Sequence, residues 1–171
     1  STTILTRREM KTFSDSGAHE AVDTQHKQGK MLHYCMIENI MVPDVVTITP
    51  ESTLYEAARI MGQKHIGSLI VEKYKTPVGI ITERDLLREV VDRGIALEKD
   101  WLVGGASIKE EKVEKLMSYP LISISIKFSI KEAAQMMIEK KIRRLAVGEA
   151  GKIVGIVTAA DLIRCLPEMP E

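Results

Sequence analysis

The phrase Gly79-Ile80-Ile81-Thr82-Glu83-Arg84-Asp85 ends a short apolar run on a threonine and sets a carboxylate three residues further on. It returns as Gly155-Ile156-Val157-Thr158-Ala159-Ala160-Asp161. A strand that passes into a helix at such a threonine delivers free backbone N–H groups and the positive end of a helix dipole to one point, which suits a phosphate. The threonine hydroxyl adds a donor. The aspartate, one helical turn along, can accept hydrogen bonds from the two vicinal hydroxyls of a ribose. Together these groups describe a nucleotide clamp. The same spacing also fits a capping box, in which the acidic side chain turns back to the threonine N–H and only starts a helix. Duplication does not choose between the two, since a copied helix start is still a helix start.

The elements that must position these groups follow from a gapless internal repeat at an offset of 76 residues, Thr82 to Thr158. Glu56-Ala57-Ala58 matches Glu132-Ala133-Ala134, Met61 matches Met137, Leu69 and Val71 match Leu145 and Val147, and Leu86 matches Leu162. In each copy a β-rich run, VVTI or LISI, precedes a stretch with apolar positions at helical spacing. These are Leu54, Ala57, Ala58 and Met61 in one copy and Ile130, Ala133, Ala134 and Met137 in the other. Ser52 and Ser129 read as the N-caps. SLIVE or RLAVG follows, then a turn around Lys75-Thr76-Pro77 or Glu149-Ala150-Gly151-Lys152, then a second strand over 78–81 or 153–157, and a closing helix from Thr82 or Thr158. Each copy is thus a β-α-β-β-α unit of roughly 50 residues, too small to close a core alone. The fold class expected is α/β (α+β), with two such repeats sharing a core. The boundaries are 31–94 for the first repeat, 95–112 for a connector broken by Gly104-Gly105, and 113–171 for the second repeat. Residues 1–30 have little apolar rhythm and read as a mobile or partner-binding N-terminal arm.

Composition narrows the function classes. With 171 residues and 44% apolar content the chain can bury a core. Lys plus Arg and Asp plus Glu stand at 24 each, so no overall basic field exists to hold nucleic acid by counterion release. The apolar runs are strand-length, short of the ~20 residues of a membrane span. No leader-like segment opens the chain, so a cytoplasmic protein is expected. Cys35 and Cys165 lack C-x-x-C spacing and read as free thiols. His19, His26 and His33 recur every seven residues, but seven residues of helix span about 10 Å, too far for one metal ion. His65 reads either as a helix-end histidine or as a neighbour of the second phrase, Met61, Met136 and Met137 as core or dimer-face filler, and Trp101 as a local anchor. No Ser/His/Asp or Cys/His arrangement has a matching context, which argues against an enzyme.

The order IM…VVTI…EAARIM…IGSLIV…PVGIITERDLL and its echo LM…LISI…EAAQMM…IRRLAV…IVGIVTAADLI resemble a tandem CBS-domain pair, a Bateman module, over residues 37–166. The resemblance implies repeats related by pseudo-two-fold symmetry and pairing of two chains into a flat disc. It also implies two clefts between the copies for adenosine-containing ligands: AMP, ADP, ATP or S-adenosylmethionine. In such proteins the aspartate of the phrase holds the ribose and the threonine lies near the phosphate, which implies Asp85 with Thr82 and Asp161 with Thr158. Each cleft is completed by the other copy, so Asp85 would face Met117, Ser118, Ile142, Arg143 and Arg144, and Asp161 would face Met41, Val42, Ile66, Gly67 and Ser68.

Arg84, Arg143 and Arg144 then gather guanidinium groups at the Asp85 cleft, where the positions matching them at the other are Ala160, Gly67 and Ser68. The Asp85 cleft is expected to take a charged phosphate tail and the Asp161 cleft to prefer an uncharged nucleoside end or stay empty, unless the arginines only form a solvated face. The implied function is a regulatory module that senses an adenosine ligand and signals to a partner protein. The alternative is a structural dimerisation or scaffolding module whose clefts are vestigial.

Overall fold

The computed structural model describes residues 36–92 and 110–166, together with the backbone of Thr3–Leu5. In chain order the elements are β1 (Thr3–Leu5), β2 (Thr47–Ile48), α1 (Leu54–Lys64), β3 (Ser68–Lys73), β4 (Thr76–Thr82), α2 (Glu83–Asp92), β5 (Ile122–Ser125), α3 (Ile130–Lys140), β6 (Arg144–Glu149), β7 (Lys152–Thr158) and α4 (Ala159–Cys165). The described residues fall into two compact units, a first built on residues 46–92 and 110–121 and a second built on residues 3–5, 36–45 and 122–166.

In the first unit β2 runs parallel to β3, and β3 pairs antiparallel with β4. The connecting helix α1 starts at Thr53, whose hydroxyl accepts from Glu56 N while the Glu56 carboxylate accepts from Thr53 N at 3.0 Å. This closes a capping box. Sequence reading puts that cap on Ser52, and the structure moves it one residue on. Ser52 is otherwise engaged: its N–H donates to Thr49 O, and its hydroxyl lies 3.1 Å from that of Thr49. The helix buries Leu54, Ala57 and Met61 against Leu69, Val71 and Ile81 of the sheet.

The second unit repeats this plan, with β5 parallel to β6 and β6 antiparallel to β7. Ser129 caps α3, as its sequence predicts, in a capping box with Glu132. Its core gathers Phe128, Ile130, Ala133, Met136, Met137, Leu145, Val147, Val157 and Leu162. The methionines therefore fill core space, as their helical spacing implies. β1 adds a fourth strand, parallel to β5 with Thr3 opposite Ile122. Nothing in the apolar rhythm of residues 1–30 announces it. His19, His26, His33, Cys35 and Trp101 lie outside the described residues.

Each unit is finished by the segment that precedes the other repeat in sequence. Ile37, fully buried, lies in the second core, and its N–H donates to Phe128 O at 3.1 Å. Val113, also fully buried, lies in the first core, and its N–H donates to Ser52 O at 2.9 Å. Glu111, 8% exposed, forms an ion pair with Lys115 at 2.6 Å, so the carboxylate is not buried without a counter-charge. Further along, Ser118 exchanges two backbone hydrogen bonds with Ile80, and Val42 exchanges two with Ile156. The edges of β4 and β7 thereby gain partners for backbone groups that a short sheet leaves open.

Candidate functional site

Both phrases fall where the sequence places them, at the junction of β4 with α2 and of β7 with α4. At the first junction Asp85 Oδ2 accepts from Thr82 N at 2.9 Å and from Thr82 Oγ1 at 2.7 Å, and Asp85 N donates to Thr82 Oγ1 at 3.3 Å. At the second, Asp161 Oδ2 accepts from Thr158 N and Oγ1, both at 2.8 Å, and Asp161 N donates to Thr158 Oγ1 at 3.2 Å. The capping box is therefore formed twice. It uses one carboxylate oxygen only, so capping and ligand binding are compatible: Oδ2 starts the helix and Oδ1 is left to do something else.

What Oδ1 does differs between the units. Asp161 Oδ1 accepts from Arg164 Nη2 at 3.0 Å, and Arg164 Nε donates to Ala160 O at 3.3 Å. The Asp161 side chain is 12% exposed and that of Arg164 75%. Arg88 holds the matching place in the first unit, yet no hydrogen bond or ion pair joins it to Asp85, and Asp85 Oδ1 has no partner among the described residues.

The glycine of each phrase has a steric task. A Cβ on Gly79 would stand 2.6 Å from Ser118 O and 3.3 Å from Met117 Sδ, and one on Gly155 would stand 2.5 Å from Met41 Sδ and 3.1 Å from Val42 O. Only glycine lets these segments lie on the strand. Met117 and Ser118 are thus brought to the strand that leads into the Asp85 junction, and Met41 and Val42 to the strand that leads into the Asp161 junction.

The remaining expected residues adjoin the phrase of their own repeat through the backbone. Ser68 stands opposite Thr82 and Gly67 O accepts from Glu83 N at 3.0 Å, while Arg144 stands opposite Thr158 and Arg143 O accepts from Ala159 N at 2.9 Å. Ile66 and Ile142 precede these strands and are half-buried. Arg84 and Arg143 are exposed, Arg144 is half-buried, and Ser68 is buried. His65 ends α1 in the left-handed conformation at φ 53°, the helix-end position.

Sequence reading missed the Arg164–Asp161 pair. DLLR and DLIR carry the same aspartate-to-arginine spacing, so the signal was present in both copies and could not tell which would close.

A duplicated β-α-β-β-α unit, with an acidic strand-to-helix junction in each copy, defines a tandem pair of small α+β repeats. The chain belongs to the CBS-domain family, whose model matches residues 37–92 and 113–168. An uncharacterized protein of Methanopyrus kandleri is 36% identical over 126 residues, covering 72% of this chain and 59% of that protein. A solved structure of a putative signal-transduction protein with CBS domains from Burkholderia ambifaria is 27% identical, with a TM-score of 0.65 over 79% of this chain and 93% of the other. CBSX2, solved in complex with AMP, shares the fold at 23% identity, with a TM-score of 0.60 over 78% of this chain and 97% of that one.

Proposed function

We propose that this chain senses an adenosine-containing ligand, AMP, ADP, ATP or S-adenosylmethionine, at its Gly-x-x-Thr-x-x-Asp phrases. Asp85 and Asp161 accept the ribose hydroxyls. Thr82, Thr158 and the helix starts lie toward the phosphate, with Arg84, Arg143 and Arg144 as guanidinium donors to it. Met41, Val42, Ile66, Gly67, Ser68, Met117, Ser118 and Ile142 supply the walls. The observation that carries this reading is that Asp85 Oδ1, on a half-buried carboxylate beside a helix start that needs only Oδ2 for its cap, has no partner among the described residues.

Signalling follows if occupancy favours one arrangement of a homodimer that a regulated protein recognises, because a ligand shifts such an equilibrium by its differential affinity for the two arrangements. Leu87 and Ile163, at matching positions on α2 and α4, are 64% and 63% exposed and offer apolar surface to another chain. That surface also serves the second reading, a dimerisation or scaffolding module without a ligand.

Calorimetric titration with AMP separates the two. The wild-type chain should bind, and its melting midpoint should rise with AMP concentration. Asp85→Asn keeps an acceptor for the Thr82 cap but loses the carboxylate, so affinity at the first phrase should fall about tenfold, the scale of a charge-assisted hydrogen bond. Absence of AMP, ADP, ATP and S-adenosylmethionine binding would leave the scaffolding reading.

A further inference from the structure

The two phrases are identical in their capping bonds and differ at one oxygen. Asp85 Oδ1 has no partner among the described residues, whereas Asp161 Oδ1 is held by Arg164 Nη2 at 3.0 Å. The guanidinium that holds it is itself anchored, since its Nε donates to Ala160 O at 3.3 Å. A hydroxyl pair arriving at Asp161 must share that oxygen with a cation already in place, or turn the Arg164 side chain out into water. Arriving at Asp85, it meets a vacant acceptor.

We propose that Arg164 is a specificity-determining residue that ranks the two phrases. It makes the Asp161 phrase the weaker acceptor of a vicinal diol, so that the Asp85 phrase fills at lower ligand concentration. This ranking rests on the adenosine reading above and adds to it an order of occupancy and the side chain that sets it. The ligand class concerned is a ribonucleoside with both hydroxyls free. A 2′-deoxynucleoside presents one hydroxyl and should discriminate less between the phrases.

The size of the effect is bounded by the exposure of the pair. Exposed ion pairs contribute about 0.2–1 kcal/mol, and the shielded carboxylate places this one toward the upper end, so removing Arg164 should tighten the second phrase by about two- to fivefold. Screening should shrink that gain as salt is raised.

The test is calorimetric titration of AMP into the full chain in the Asp85→Asn background, which weakens the first phrase and leaves the second to be read. Adding Arg164→Ala should then tighten AMP binding two- to fivefold, and Arg164→Lys, whose ammonium cannot reproduce the two-point hold, should fall between. In an Asp161→Asn background, Arg164→Ala should change nothing. An Arg164→Ala variant that binds AMP as weakly as its parent, or more weakly, overturns the ranking while the adenosine reading stands. A wild-type chain that binds none of AMP, ADP, ATP and S-adenosylmethionine overturns both.

Discussion

The two repeats share a backbone plan and differ in how firmly each is closed. In the second, Phe128 is buried beside α3, and Asp161 is claimed by both Thr158 and Arg164. In the first, the position matching Phe128 is Ser52, α2 buries no residue, and one Asp85 oxygen has no partner among the described residues. The second copy thus holds more apolar volume and a satisfied carboxylate, and the first holds the open acceptor. Divergence of this sort after duplication lets one copy carry more of the buried core while the other keeps a less engaged carboxylate.

That contrast breaks most directly at Phe128. The side chain is 2% exposed and has no counterpart in the first core, so Phe128→Ala should destabilise the second unit by about 3–5 kcal/mol. Urea denaturation gives the magnitude. Hydrogen exchange gives the location, with β5 and α3 amides losing protection before those of β3 and β4. A loss below about 1 kcal/mol would mean the second core does not depend on this ring.

The next effect is smaller and reverses the order of the repeats. An alanine at position 79 meets a backbone oxygen, Ser118 O at 2.6 Å, whereas one at position 155 meets first the end of a flexible side chain, Met41 Sδ at 2.5 Å. Backbone cannot step aside without giving up the paired hydrogen bonds between Ser118 and Ile80. Gly79→Ala should therefore cost about 1–3 kcal/mol and expose the Ser118 amide to exchange, with Gly155→Ala the milder change. Equal losses in the two variants would show that both docked segments yield alike.

Most of the fold was legible because it was written twice. The offset of 76 residues fixed the β-α-β-β-α order, the helical spacing of Leu54, Ala57, Ala58 and Met61 named a face that is buried except at Ala58, which is exposed, and Thr82 and Thr158 marked the junctions that the structure contains. The finer errors have local causes. Ser52 and Thr53 both qualify as caps by type, and only the Ser52 bonds to Thr49 decide between them. The β1 strand is three residues long and makes its ladder with a distant partner, so no periodicity could reveal it. That Met41, Val42, Met117 and Ser118 matter was suggested by family resemblance and not by local pattern, because the physical signature of their docking is a missing Cβ on Gly79 and Gly155. The Arg164–Asp161 pair was invisible for another reason: the spacing that permits it is present in both copies.

The smallest expected difference lies at the hairpin tips. Both two-residue turns use the left-handed region at both positions, Tyr74 at φ 51° with Lys75 at φ 62°, and Ala150 at φ 48° with Gly151 at φ 79°. Such turns favour glycine at the second position, because an L side chain there is strained by roughly 1–2 kcal/mol. Lys75→Gly relieves that strain but frees the unfolded chain, which offsets roughly 0.4–1 kcal/mol of it. The net expectation is a gain of about 0.5 kcal/mol in the first unit. Gly151→Lys, the mirror substitution, should cost the second unit a similar amount. The two variants can be compared in one denaturation series. If both destabilise, the β3–β4 tip owes its stability to Lys75 side-chain contacts and not to backbone preference, and the tips of the two repeats would differ in kind as well as in residue.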